Sequence, residues 1–343
     1  MPVPWSRAYR FSASGATNPR VDHPLVPLAV AALAAAVLTL ILAEALRRRR
    51  VLDRPNQRSS HSAPTPRGGG LAIVAVLALG WATVTELRAP AVLLLLLAAV
   101  GFVDDLRDLP VRLRLMVQAL AVGAGLALLP EVSLLGGVLP FWLERGLIGL
   151  GWLWFVNLFN FMDGIDGIAG QEAAAIGLGI ALLGGALAEP GLWLAGAALG
   201  FLALNWPPAR VFMGDAGSIP LGFGLGYLLL LLAAEGQWAA AIILPLYFCA
   251  DATLTLLRRL ARGDKVWQAH RQHFYQRAVQ ARGGRHRPVL IEVVALNLVL
   301  VALAYWSTQA PWPALVLAGL ATAFLLWRFA RLQPRLNASA SNS

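Results

Sequence analysis

The sequence predicts an all-α integral membrane protein that crosses the bilayer many times. Of its 343 residues, 58% are apolar and 13% are charged, whereas soluble domains have about 45 to 50% apolar and about 25% charged residues. Apolar runs recur between short polar connections, and a helix needs about 20 such residues to cross the hydrocarbon core. We therefore expect a bundle of transmembrane helices in a single domain.

Charged residues, prolines and glycines divide the apolar sequence into about eleven candidate spans. They cover approximately residues 25–46, 69–87, 89–103, 113–129, 145–160, 168–188, 191–206, 217–234, 237–257, 289–306 and 311–330. The polar segment 1–24 is too long for the charged region that opens a typical signal peptide. It therefore predicts a loose tail, or a translation start assigned upstream of the true one, and not a cleavable signal peptide. The transmembrane domain then extends over 25–331, and 332–343 form a second tail.

The basic residues predict the orientation of the chain, because cytoplasmic loops collect lysine and arginine. When successive connections between the spans are assigned alternately to the two sides of the membrane, 23 of the 28 basic residues fall on one side. The other side keeps Arg7, Arg10, Arg20, Arg88 and Arg145. The N-terminus is therefore expected outside and the C-terminus in the cytoplasm. A net charge of +10 in membrane-flanking loops favours lipid head groups and phosphorylated ligands over nucleic acid as partners.

Three acids, Asp104, Asp105 and Asp108, end the third candidate span on the arginine-rich side. Neighbouring carboxylates repel one another unless a cation neutralises them, which indicates a divalent metal or a cationic ligand. A charged helix end, neutralised by Arg107 and Arg112, explains this motif equally well when it is considered alone.

The second polar segment, between the fifth and sixth spans, repeats polar side chains every three residues and then breaks at glycines. These side chains are Asn157, Asn160, Asp163 and Asp166. Within a membrane, such a face must meet protein or a water-filled cavity. Its oxygens suit Mg²⁺, and they also accept hydrogen bonds from a nucleobase or sugar. A simple turn at the Asp-Gly pairs is the alternative.

The third segment, 205–218, contains Phe212 and the sequence Gly214-Asp215 at the start of the eighth span. Glycines permit close approach of the backbone to a phosphate, and free N–H groups at a helix start favour anions. Asp215 is therefore a candidate ligand of a metal that bridges phosphate oxygens.

Two basic loops lie on the same side of the membrane. The first contains Arg54, Arg58, His61 and Arg67, and the last contains His270, Arg271, His273 and Arg277. Arginine binds phosphate through two N–H groups, and histidine shuttles protons or hydrogen-bonds a phosphate. Arg67, Arg271 and Arg277 are thus candidate substrate-binding residues. The general excess of positive charge in cytoplasmic loops is the alternative, but it does not explain the histidines.

Taken in order, these motifs resemble the polyprenyl-phosphate N-acetylhexosamine-1-phosphate transferase family over about residues 25–330. The resemblance implies that Asp104 and Asp105 lie near a lipid phosphate, where one acts as base or nucleophile, and that Asp163 is an essential acid. Asn160 and Asp215 would be ligands of Mg²⁺, with Mn²⁺ as an alternative. Further implied site residues are Asp166, Asn205 and Phe212 in a uridine pocket, and His270 and His273 as catalytic groups near the pyrophosphate and sugar.

The activity implied by this resemblance is transfer of an N-acetylaminosugar 1-phosphate from a UDP-sugar to undecaprenyl phosphate, with release of UMP, at the bacterial inner membrane. Three differences from the peptidoglycan branch favour the branch that initiates O-antigen or teichoic acid. They are the sequence at 64–70, His270 and His273 in place of three consecutive histidines, and Asp108 in place of lysine. Phospho-N-acetylmuramoyl-pentapeptide translocase and a proton-coupled transporter are the alternatives. Whether the chain is a monomer or a homodimer stays open.

Overall fold

The computed structural model describes residues 25–53, 64–265 and 270–332. In this part of the chain an antiparallel pair of short strands, Leu52–Asp53 (β1) and Thr65–Pro66 (β2), accompanies thirteen α-helices. The helices are Val26–Arg48 (α1), Gly70–Ala82 (α2), Arg88–Arg107 (α3), Val111–Leu128 (α4), Phe141–Met162 (α5), Ile168–Leu183 (α6), Ala188–Asn205 (α7), Asp215–Ala234 (α8), Trp238–Ile243 (α9), Leu246–Ala261 (α10), Phe274–Ala281 (α11), His286–Trp306 (α12) and Pro311–Arg331 (α13).

Several predictions fall on other residues. The tail at 1–24, the loop residues Arg54, Arg58 and His61, and all of the second tail except Leu332 lie outside the described residues.

The predicted class, an all-α protein with several membrane spans, is confirmed. Within the described ranges, seven helical segments are long and apolar enough to cross a membrane. They are Val26–Arg48, Thr85–Arg107, Val111–Leu128, Gly185–Asn205, Asp215–Ala234, His286–Trp306 and Pro311–Arg331. Two shorter apolar helices, α2 with 13 residues and α6 with 16, occupy other predicted spans. The total of eleven spans and the orientation of the chain in the membrane stay predictions.

The ninth predicted span, 237–257, is divided into the two helices α9 and α10, with Leu244 and Pro245 between them. Proline lacks an N–H group, and its ring clashes with the carbonyl of the fourth preceding residue. A separate helix, α10, begins after the break. Its Asp251 contacts His273 and the first N–H groups of α11. Hydropathy alone does not predict α11, which is short and amphipathic.

Helix α8 is the most deeply buried of these seven segments, and it packs against α2, α3 and α5. Glycines permit these close approaches. A Cβ on Gly70 would overlap the backbone of Gly217, and a Cβ on Gly101 would overlap that of Asp215. The start of α2 and the end of α3 therefore lie directly against the N-terminus of α8.

Candidate functional site

Acidic side chains from two distant motifs meet at the N-terminus of α8. A single guanidinium nitrogen of Arg114 lies 2.8 Å from Asp104 Oδ2 and 3.3 Å from Asp215 Oδ2. The backbone N–H of Leu109 also donates to Asp104 Oδ1, at 2.6 Å. Asp104 and Asp215 thus face each other across one cationic group.

Asp105 occupies a different environment, because its side chain is 0% exposed. Its carboxylate accepts hydrogen bonds from the backbone N–H groups of Asp215 and Ala216, both at 3.0 Å, and lies 2.8 Å from Arg67 Nε. The first N–H groups of a helix have no acceptor within the helix. Asp105 therefore caps α8 from a neighbouring helix, and this geometry favours Asp104 over Asp105 as the acid that faces a substrate. Asp108 is exposed beyond the end of α3.

Replacing Asp105 by asparagine should destabilise the protein. The amide would place an N–H₂ group against the α8 backbone or Arg67, and an unsatisfied buried donor costs about 1 to 3 kcal/mol. Thermal unfolding in detergent should show a lower Tm for Asp105→Asn than for Asp108→Asn, a matched change at an exposed site of the same helix end. Equal Tm values for the two variants would contradict the capping role.

Asp215 also joins α5 to the first basic loop. Its Oδ1 accepts hydrogen bonds from Asn160 Nδ2 at 3.0 Å and from Arg67 Nη2 at 3.2 Å. Asn160 Nδ2 lies 2.8 Å from Ser218 Oγ as well. The two predicted metal ligands, Asn160 and Asp215, are therefore neighbours, and rotating the Asn160 amide by half a turn would present its oxygen instead.

The donor set around Asp215 fits Mg²⁺. Within the described residues no three His, Cys, Asp or Glu side chains form a ready-made metal cage. Mg²⁺ does not need one, because it is usually held by one or two carboxylates together with substrate phosphates. Asp215, the facing Asp104 and the rotated amide of Asn160 are hard oxygen donors of this kind.

Asp163 follows the last residue of α5 and is partly exposed. Burial raises the pKa of Asp163 to about 7, the carboxylates of Asp215 and Asp105 act in the same direction, and Arg67 opposes them. Without a bound cation, the folded protein therefore holds a proton on Asp163 in mildly acidic solution, whereas an unfolded chain would not.

This raised pKa predicts how stability depends on pH. The folded state binds the Asp163 proton more tightly than the unfolded state, so the resulting stabilisation is present at low pH and is lost as the pH rises through about 7. Asp163→Asn removes the titration. In metal-free buffer, the Tm of this variant minus that of the unmodified protein should increase between pH 5 and pH 8. A difference that does not change with pH would contradict the shift.

Two predicted uridine-pocket residues hold loops together. Asn205 is buried, accepts a hydrogen bond from the Gly167 N–H at 2.9 Å and donates one to the Val211 carbonyl at 2.8 Å. Asp166 Oδ2 accepts a hydrogen bond from the N–H of Ala209 at 3.0 Å. Both residues thus join the loop after α5 to the loop after α7.

Phe212 connects this region to the first basic loop through its backbone. Its N–H donates to the Pro66 carbonyl at 2.8 Å, and its carbonyl accepts from the Gly69 N–H at 2.9 Å. These bonds hold Arg67 beside Asp105 and Asp215.

The last basic loop lies close to the acidic cluster. A Cβ on Gly164, next to Asp163, would overlap the hydroxyl of Tyr275 in α11. The rings of His270 and His273 are 4.9 Å apart, and His273 is buried. Burial lowers the pKa of His270 to about 4, and His273 and Arg259 act in the same direction. His270 is therefore neutral at pH 7. The remaining predicted residues are Arg271, which is half-buried in this loop, and Arg277, which is exposed on α11.

Three residues of this region are absent from the motifs quoted above: Arg114, Asp251 and His286. Arg107 and Arg112 are closer to the acids in sequence, but Asp104 pairs with Arg114. His286 Nδ1 lies 3.2 Å from Asp166 Oδ2, and the sequence gives no signal for this pair. Asp251 had a usable signal, because an isolated carboxylate in an apolar span usually marks a functional site.

Comparison with known proteins gives a consistent result. The model of glycosyl transferase family 4 matches residues 87–233, which contain the three acidic motifs. An undecaprenyl-phosphate alpha-N-acetylglucosaminyl 1-phosphate transferase of Thermotoga maritima is 30% identical over 75% of this chain and 82% of its own length. A probable undecaprenyl-phosphate N-acetylglucosaminyl 1-phosphate transferase of Bacillus subtilis is 28% identical, over 81% and 84%.

The peptidoglycan branch is also represented among the relatives. A phospho-N-acetylmuramoyl-pentapeptide-transferase of a Synechococcus species is 34% identical over 63% of this chain and 71% of its own length. The chain therefore belongs to glycosyl transferase family 4, the polyprenyl-phosphate N-acetylhexosamine-1-phosphate transferases.

Proposed function

We propose that this protein transfers an N-acetylhexosamine 1-phosphate from a UDP-sugar to undecaprenyl phosphate and releases UMP. The observation that carries the proposal is the alternation of carboxylates and guanidiniums at the N-terminus of α8, where Asp215 lies between Arg67 and Arg114. Phosphoryl transfer depends mostly on positioning and on neutralising phosphate charge. This arrangement provides ligands for a cation and direct donors for phosphate oxygens.

The residues have distinct roles in this proposal. Asp215, Asn160 and Asp104 would hold Mg²⁺, which would supply positive charge to neutralise the diphosphate of the donor. Arg114 and Arg67 donate to phosphate oxygens, and Asp105 keeps the α8 N-terminus in place. Asp104 faces the acceptor phosphate, whose oxygen displaces UMP from the sugar-linked phosphorus. The site is proposed to face the cytoplasm at the inner membrane.

UDP-N-acetylglucosamine is the donor we propose first. The Thermotoga and Bacillus relatives named for N-acetylglucosaminyl transfer match this chain over more of its length than the pentapeptide transferase does. The product would initiate an envelope glycan of the O-antigen or teichoic-acid type. UDP-N-acetylmuramoyl-pentapeptide is the second candidate, since the relative named for that substrate has the higher identity.

The test uses purified protein with undecaprenyl phosphate, Mg²⁺ and one UDP-sugar at a time, and measures UMP. Release with UDP-N-acetylglucosamine, dependent on both lipid and Mg²⁺, is expected. Release only with the pentapeptide donor would move the protein to the peptidoglycan branch. No UMP from any donor, together with substrate flux in proteoliposomes, would favour a transporter.

A further inference from the structure

Asp251 is a buried carboxylate that none of the motifs includes. It lies on α10, its side chain is 0% exposed, and it accepts hydrogen bonds from Thr255 Oγ1 at 3.3 Å and Tyr247 Oη at 3.4 Å. It also accepts hydrogen bonds from the N–H groups of Phe274 and Tyr275, at 3.0 and 3.2 Å. These two groups begin α11 and have no acceptor within their own helix.

The same carboxylate contacts His273. Asp251 Oδ1 lies 3.2 Å from His273 Nδ1. An ionised carboxylate only accepts hydrogen bonds, so Nδ1 must carry a proton. The backbone N–H groups of α11 and two hydroxyl groups also donate to this carboxylate and hold it in place. The Asp251 side chain therefore cannot easily rotate away to accommodate the other tautomer of His273. In the neutral ring, Nε2 is then the nitrogen that carries the free lone pair.

His270 is held in the opposite tautomer. Its Nδ1 accepts a hydrogen bond from the Gln272 N–H at 3.3 Å, so the proton of the neutral ring is on Nε2. Two adjacent imidazoles that look equivalent in the sequence are therefore chemically different. His273 leaves Nε2 unprotonated, whereas His270 leaves Nδ1 unprotonated and in contact with the Gln272 N–H.

We propose that Asp251 is a positioning residue that keeps the proton of His273 on Nδ1, so that Nε2 binds a second proton and gives it to the diphosphate oxygen that leaves with UMP. The part of this inference that concerns the diphosphate rests on the proposed function. The tautomers themselves do not depend on it, because they follow from the contacts of Asp251 and Gln272.

Imidazole ¹⁵N NMR of the full-length protein tests the tautomers without an activity measurement. The chain has five histidines, so His270→Gln and His273→Gln difference spectra assign the two rings. At a pH where both rings are neutral, we expect the Nδ1–H form for His273 and the Nε2–H form for His270. The Nε2–H form at His273 would overturn the proposal, whatever the activity of the protein.

Kinetic measurements test whether Asp251 acts through His273. Asp251→Asn allows the amide to donate to Nδ1, which moves the proton of the neutral ring to Nε2. A neutral ring is a much weaker acid than the protonated one, so kcat for UMP release should fall about 100-fold, the lower range for lost acid–base function. In a His273→Gln background the same change should cost less than about threefold, because the residue acts through that ring. Full additivity of the two changes would overturn the proposal.

Glu144→Gln is the matched control for burial. Glu144 is also fully buried and accepts hydrogen bonds from the Leu134 and Leu135 N–H groups and from Ser133 Oγ, at the opposite end of α5 from Asn160. This variant should lower Tm and leave kcat within about threefold. If kcat fell as far as in Asp251→Asn, the loss would reflect general destabilisation and the proposal would fail. An inactive unmodified protein would instead refute the proposed function.

Discussion

Asp215→Asn should lower kcat for UMP release about 1000-fold, the upper range for removing one group that stabilises transition-state charge. The change keeps the shape of the side chain and removes one negative charge. That charge is shared by Arg67, Arg114 and the proposed metal, so its loss weakens all three interactions together. The remaining activity should require more Mg²⁺, which a titration of the variant would detect.

Asp108→Asn is the control for this prediction. Asp108 ends α3 in the same region but is exposed, with a left-handed backbone at φ 49° that asparagine also tolerates. Its kcat should stay within about threefold of the unmodified protein, because surface charges contribute little. Near-normal activity of Asp215→Asn, or an equal loss in Asp108→Asn, would remove Asp215 from the metal role.

The sequence was sufficient to predict that these acids meet. Apolar runs locate the helices, and alternation of the connections assigns Asp104, Asn160 and Asp215 to one end of the bundle. Helical periodicity separates Asp104 from Asp105 but does not say which one faces the site. That depends on Gly101, where α3 approaches the Asp215 backbone so closely that a Cβ would not fit.

Other contacts depend on tertiary packing that no local pattern records. Arg114 reaches Asp104 because α4 folds back against α3 after Pro110, whereas Arg107 and Arg112 are nearer in sequence. The break at Pro245 was readable as a proline in an apolar run, yet its consequence was not. A new helix, α10, begins after it, and Asp251 on that helix contacts His273 and the first N–H groups of α11.

Gly214→Ala should inactivate the protein although it adds one methyl group. Gly214 has φ 71° and ψ 175°, a region that is essentially restricted to glycine and costs other residues about 1 to 3 kcal/mol. The new Cβ would also overlap the carboxylate of Asp105. Asp105 would have to leave the α8 N–H groups, and Asp215 would move with them. A misplacement of about 1 Å can cost about 100-fold in rate, so we expect a loss of at least this size.

Gly151→Ala controls for the added methyl group, because nothing lies within 4 Å of a Cβ at this α5 position. Alanine should stabilise that helix by about 0.5 to 1 kcal/mol and leave kcat unchanged. If the collision with Asp105 accounts for most of the loss at Gly214, then adding Gly214→Ala to Asp105→Ala should lower kcat much less than adding it to the unmodified protein. The same fold-loss in both backgrounds would show that backbone strain alone displaces Asp215, and that the Asp105 cap is not what positions it.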